Sequence, residues 1–304
     1  MPRTRANGIE IEYEITGPAD GIPMLFINGF GSQMTSWPPQ FYEALAAKGV
    51  HSIRFDNRDV GLGQKWHGIV PDAAKVIADL RDGKKPDVPY TLSDMATDAA
   101  ALLTALGIDT AHIAGCSMGG MIAQLVALEH PQKCRSLISI FSTTSDPSLP
   151  QSSPEARAAL TAAAPGTDRA TVIAHSLKGR QAYCSTKWPF DHEFWADLAG
   201  RNYDRMFYPE GTSRQMAAIM ASPPRTDRLK TLTLPTLVMH GTSDMLLRVE
   251  CGRHTAECIP GAQYHEIEGW GHDMPLQVIP EVTGTIADFI NRVEVQRHAK
   301  AAAE

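Results

Sequence analysis

No apolar run in these 304 residues approaches the roughly 20 that span a bilayer. Residues 1–8 are polar and lack the apolar stretch of a secretory signal, so the expected location is the cytoplasm. Basic residues form no run or stripe, and the net charge is −6. That excludes the phosphate-neutralising surface of a nucleic-acid binder. Cysteine is scarce: Cys116, Cys134, Cys184, Cys251 and Cys258 are odd in number and never paired as CxxC. A disulfide framework and a cysteine-based zinc site are therefore not expected. The eleven histidines are dispersed without HExxH, and no GxGxxG occurs among the glycines. The expected enzyme uses no cofactor and no metal.

What is present is ordinary for a globular protein, with 43% apolar and 20% charged residues. The first half alternates strand-like and helix-like segments. Residues 9–15 alternate apolar and polar, as a half-exposed strand does. Residues 24–27, 52–55, 112–115 and 136–141 read as short buried strands of the kind covered on both faces. Leu92, Met95, Ala96, Ala99, Leu102, Leu103 and Leu106 follow helical spacing behind a capping box at 91–94. A second helix is expected over 117–130, stopped by Pro131. Strand logic lapses between about 146 and 228, where helices are expected over 154–164 and 211–221. It resumes at 236–240 and 263–267, before a closing helix over 281–297 and a short Ala-rich tail. This pattern predicts an α/β fold, a mainly parallel sheet with helices on both faces, interrupted by a helical insertion.

The chemistry concentrates at Gly115-Cys116-Ser117-Met118-Gly119. GxSxG between a buried strand and a helix is the pattern of a nucleophile elbow. The turn is so tight that its serine must adopt a strained backbone, and the flanking glycines avoid clashes. The helix N-terminus beside the serine favours developing negative charge.

With this elbow, Phe26-Ile27-Asn28-Gly29-Phe30-Gly31, Arg54-Phe55-Asp56-Asn57-Arg58 and Gly269-Trp270-Gly271-His272, the chain resembles the α/β-hydrolases over nearly its whole length. It is most similar to their esterase branch, that of aclacinomycin methylesterase and related carboxylesterases. The resemblance implies an eight-stranded-type sheet, with residues 1–145 and 229–304 as core and 146–228 as a helical cap inserted after the sixth strand. It also implies backbone N–H donors for an oxyanion at Phe30 and Met118. Asn28 stands where many relatives carry histidine. Asp56 is expected to order its loop through backbone hydrogen bonds, with Arg58 as its partner.

A serine hydroxyl needs a base, and histidine is the usual one. His272 lies on a glycine-flanked loop after the last predicted strand. His265, within that strand, and His240, at the end of another, are weaker rivals. Asp244, at the end of strand 236–240, occupies the family's usual acid position. It would orient His272 in the chain order Ser–Asp–His, with Asp146 as runner-up. Asp273, beside His272, is poorly placed for the correct ring nitrogen. In the insertion, Trp188, Phe190, Met206, Phe207, Met216 and Met220 are candidates for an apolar substrate pocket. The expected activity is hydrolysis of a small to medium hydrophobic ester through an acyl-enzyme, by a monomer or homodimer. A perhydrolase, a lactonase, a carbon–carbon bond hydrolase and a slow-turnover ligand receptor remain alternatives on the same residues.

Overall fold

The computed structural model describes residues 2–302, so Ala303 and Glu304 of the Ala-rich tail lie outside the described residues. Eight strands form one sheet: β1 (Arg3–Ala6), β2 (Ile9–Thr16), β3 (Ile22–Ile27), β4 (Val50–Phe55), β5 (Ala111–Cys116), β6 (Cys134–Ile140), β7 (Thr236–Gly241) and β8 (Gln263–Ile267). Their order is β1-β2-β4-β3-β5-β6-β7-β8. The sheet is parallel from β4 to β8, and β2 and β1 are added antiparallel at one edge. The helices are α1 (Pro39–Ala46), α2 (Ala73–Arg81), α3 (Leu92–Ala105), α4 (Met118–Glu129), α5 (Pro154–Thr161), α6 (Arg169–Gln181), α7 (His192–Arg205), α8 (Gly211–Met220), α9 (Thr226–Leu229), α10 (Val249–Cys258) and α11 (Ile279–Ala301). No helix among the described residues is long and apolar enough to cross a membrane.

The apolar runs of the central strands are explained by burial on both faces. On β3, Leu25 and Ile27 join a core with Leu103 of α3 and Ile122 of α4. Met24 and Phe26 point the other way, into a second core with Phe41 of α1 and Phe289 of α11. The period of two along the strand thus feeds two cores. The capping box forms as expected: Thr91 Oγ1 accepts from the Asp94 N–H at 3.2 Å, and Asp94 Oδ2 accepts from the Thr91 N–H at 2.8 Å.

Two features depart from the sequence pattern. The alternation at residues 9–15 is not realised in burial, because β1 covers β2 and Arg3 pairs with a buried Glu12. Helix α6, which the sequence pattern does not mark, buries no residue fully. The helices α5 to α9 all fall between β6 and β7 in the chain.

Helix α11 is fastened to the sheet by a polar link. Glu294 accepts from Arg135 of β6 at 3.0 Å and meets the buried His112 of β5 at 3.2 Å. The His112 hydrogen bond outweighs burial and, with the Arg135 charge, holds the Glu294 carboxyl at about 2, below its ordinary 4.5. A depressed carboxyl contributes stability above its unfolded value and loses it as pH falls toward the folded one. Thermal unfolding followed from neutral pH down through 4.5 toward 2 should therefore show a falling melting temperature. Glu294→Gln should flatten part of that fall; an identical pH dependence in the variant would refute the link.

Candidate active site

Strand β5 ends at Cys116, α4 begins at Met118, and Ser117 alone makes the turn between them, at φ 56° and ψ −124°. Only close approach permits this geometry. A Cβ on Gly115 would stand 2.0 Å from the Gly119 carbonyl oxygen, and one on Gly119 would stand 2.0 Å from that of Ile27. The turn is pinned by the Ser117 N–H donating to the Ile140 carbonyl at 3.0 Å and by Ser142 Oγ donating to the Ser117 carbonyl at 2.7 Å.

The loop after β3 approaches the same point, since a Cβ on Gly29 would lie 3.1 Å from Ser117 Cβ. Asn28 is wholly buried; its carbonyl accepts from Asn57 Nδ2 at 3.0 Å, while its side-chain amide has no partner. Gly31, at φ +65°, donates its N–H to Gln215 Oε1 of α8 at 2.8 Å. The other end of that amide donates to the Arg58 carbonyl at 2.7 Å.

His272 sits on the loop after β8, held by its N–H donating to the Tyr183 carbonyl at 2.7 Å. Its ring packs against Phe141, with centroids 4.6 Å apart. Its Nδ1 lies 2.6 Å from Asp244 Oδ2. The other carboxylate oxygen of Asp244 accepts from the Leu246 and Leu247 N–H groups at 2.8 and 2.9 Å. Burial pushes this carboxyl up, but the His272 charge and the hydrogen bonds from His240 and His272 more than reverse that. The net effect holds it well below the ordinary carboxylate range.

The rival residues are occupied elsewhere. His240 Nε2 donates to the Leu247 carbonyl at 2.7 Å and lies 3.4 Å from Asp244. His265 pairs with Glu281 at 3.1 Å. Asp146 accepts from Ser148 and from Thr226 of α9. Asp273 accepts the N–H and hydroxyl of Ser185.

A family model described as the alpha/beta hydrolase fold matches residues 22–277. The chain belongs to the α/β-hydrolase family. It is 29% identical over 289 residues to the rhodomycin D methylesterase of a Streptomyces species, covering 87% of this chain and 89% of that protein. It is 27% identical over 300 residues to the non-heme chloroperoxidase of Streptomyces lividans, covering 92% and 95%. Among solved structures, the enol-lactonase of Burkholderia xenovorans superposes with a TM-score of 0.72 at 21% identity, over 95% of this chain and all of that one.

The hydrolase has a cavity of about 520 Å³ whose wall includes Ser117, His272, Phe30 and Met118. Much of the wall is apolar, with Trp37, Met121, Phe141 and Trp195 among its members. Of the six pocket candidates, Met216 and Met220 of α8 line it. Trp188, Phe190, Met206 and Phe207 do not. Trp188 packs on the α11-side core, Phe190 against His192 and Trp195, and Phe207 against Tyr203, while the Met206 carbonyl accepts from Gln33. The Phe190 and Phe207 rings are spent against α7, and that of Trp188 against the core. Trp37, Phe141, Tyr183 and Trp195 were not foreseen, because they come from separate segments and share no local pattern. The expected pairing of Asp56 with Arg58 is also corrected. Asp56 accepts from the Met34 and Leu62 N–H groups and pairs with Arg205 of α7 at 2.7 Å. Arg58 instead makes a two-pronged pair with Asp98 of α3.

The positive φ of Ser117 implies stored backbone strain of about 1–3 kcal/mol. Ser117→Gly and Ser117→Ala both remove the hydroxyl, but only the glycine relaxes the backbone. Ser117→Gly should be the more stable of the two by about 1 kcal/mol, after allowing for glycine's greater freedom when unfolded. Denaturant unfolding of both variants measures this, and equal stabilities would mean the turn is unstrained.

Proposed function

We propose that this hydrolase cleaves a carboxylic ester through Ser117, His272 and Asp244. The observation that carries this reading is the 2.6 Å His272–Asp244 hydrogen bond on the wall of the cavity that also exposes Ser117. Ser117 Oγ attacks the ester carbonyl carbon while His272 Nε2 takes its proton. Asp244, held as a carboxylate, fixes the imidazole with Nδ1 protonated and stabilises the cation that forms. The tetrahedral oxyanion accepts hydrogen bonds from the Phe30 and Met118 N–H groups, at the N-terminus of α4. Collapse breaks the bond to the alcohol oxygen, which takes the proton from His272 and leaves an acyl-Ser117. Water, deprotonated by His272, then releases the acid and restores the serine.

In this reading residues 146–228 act as a cap on a core of 1–145 and 229–304. Its α8 supplies Met216 and Met220 as adaptable walls. A 520 Å³ cavity suits a small to medium ester, and the 29% identity to a methylesterase favours a small alcohol group. Ser117→Ala should lower turnover of a short p-nitrophenyl ester by a factor on the order of 10⁵. A fluorophosphonate should label the wild type at Ser117. Unchanged turnover in a folded Ser117→Ala variant would defeat the proposal, and stoichiometric labelling without turnover would indicate a ligand receptor.

The 27% identity to a chloroperoxidase favours a second reading, in which peroxide replaces water in attacking the acyl-enzyme. Wild-type protein given acetate and hydrogen peroxide should then form peracetic acid, and Ser117→Ala should not. Absence of peracid at any peroxide concentration removes this reading and leaves the esterase untouched.

A further inference from the structure

We propose that Arg157 and Arg180 form an anion subsite in this cavity, and that the ester it accepts carries a carboxylate remote from the scissile bond. The proposal rests on the esterase reading above and deepens it. Both arginines line the same cavity as Ser117 and His272, Arg157 from α5 and Arg180 from α6, two helices that pack together. The Arg180 guanidinium is half-buried and stacked 4.0 Å over the ring of Trp195, itself only 2% exposed. Stacking fixes the plane of the guanidinium and leaves its N–H edge free to meet an acceptor.

Arg58, Arg169 and Arg214 each hold a carboxylate in a two-pronged pair. Among the described residues, Arg157 and Arg180 make no side-chain hydrogen bond or ion pair. The one carboxylate of the cavity wall, Asp273, accepts the N–H and hydroxyl of Ser185; it lies near enough to feel the Arg180 charge but makes no ion pair with it. Thr161 and Ser152, also in the wall, donate to the backbone carbonyls of Arg157 and Leu246. Arg180, half-buried in a largely apolar wall without a hydrogen-bonded carboxylate, is placed at a cost that a ligand anion would offset, and the exposed Arg157 adds a second positive charge at the same cavity. A carboxylate fits the planar fork of a guanidinium bidentately. The substrate therefore combines an apolar body with one anionic end, as a monoester of a dicarboxylic acid does.

The test uses the monomethyl esters of succinic, adipic and suberic acids. Each is paired with the methyl ester in which a methyl group replaces the free carboxylate. For at least one chain length the wild type should favour the carboxylated ester in kcat/KM by about tenfold or more, the scale of a charged hydrogen bond. The preference should shrink with added salt. Arg180→Met should abolish it, chiefly through KM, Arg157→Met should reduce it, and Arg180→Lys should keep part of it. Calorimetric titration with free adipate gives a readout independent of turnover, and thermal unfolding checks that each variant is folded. Arg157 is exposed, so its variant keeps the test alive if Arg180→Met fails to fold. Ser117-dependent turnover of the neutral esters, with no carboxylate preference at any length, overturns the subsite and leaves the esterase standing. Adipate binding that depends on Arg180, with no turnover of any ester, overturns the esterase and leaves the subsite. Neither preference nor binding overturns the subsite outright.

Discussion

The chain turns from β5 into α4 in a single residue, and the space for that turn comes from missing side chains. With a Cβ at 115 or 119, the backbone of α4 or of β3 would have to move aside. The crossing brings three chain segments together: the end of β3, the start of α4, and the end of β6 through Ile140 and Ser142. Close packing of this kind transmits position well, because interiors at crystal-like density have no slack to absorb a shift. The strain at Ser117 is held in place by those same neighbours. The serine is therefore presented by the whole centre of the sheet, and no flexible loop intervenes.

Asp244 and His272 are set by electrostatics where the elbow is set by sterics. A wholly buried carboxylate is costly unless it is paired and hydrogen-bonded. Asp244 meets that condition through two backbone N–H groups on one oxygen and His272, with His240 nearby, on the other. The charge of Asp244 therefore survives burial. The His272 ring, clasped between that carboxylate and the face of Phe141, has little freedom to turn. The Nε2–H of His240 faces both the Leu247 carbonyl at 2.7 Å and the Asp244 carboxylate at 3.4 Å, and so supports the carboxylate from a second side.

What could be read from the sequence follows from how local each determinant is. The elbow was legible because its constraints lie within five residues and leave glycines behind. The central strands were legible because burial on both faces erases polar alternation. His272 and Asp244 could be singled out because each sits on a loop directly after a strand. The pocket wall was not legible. Trp188, Phe190, Met206 and Phe207 have the right chemistry, but which apolar residues face inward depends on how α5 to α8 lie on one another. Helix α6, without a fully buried residue, shows how little periodicity such a layer needs. The partner of Arg58 was missed for a similar reason. Asp98 is forty positions away, and only the packing of α3 on the sheet brings it near.

Helix α8 has two attachments that differ in kind. Through Met216 and Met220 it shapes the cavity, and through the Gln215 amide it grips Gly31 and Arg58 at once. Side chains at 216 and 220 can be exchanged without touching that grip. A sliding or tilting of the helix as a body drags the Gly31 loop with it, and Phe30 is the next residue. For anyone redesigning substrate range, that divides the available moves. Point changes along the inner face of α8 are modular, whereas insertions, deletions or grafts that shift its axis reset the geometry beside Ser117 as well.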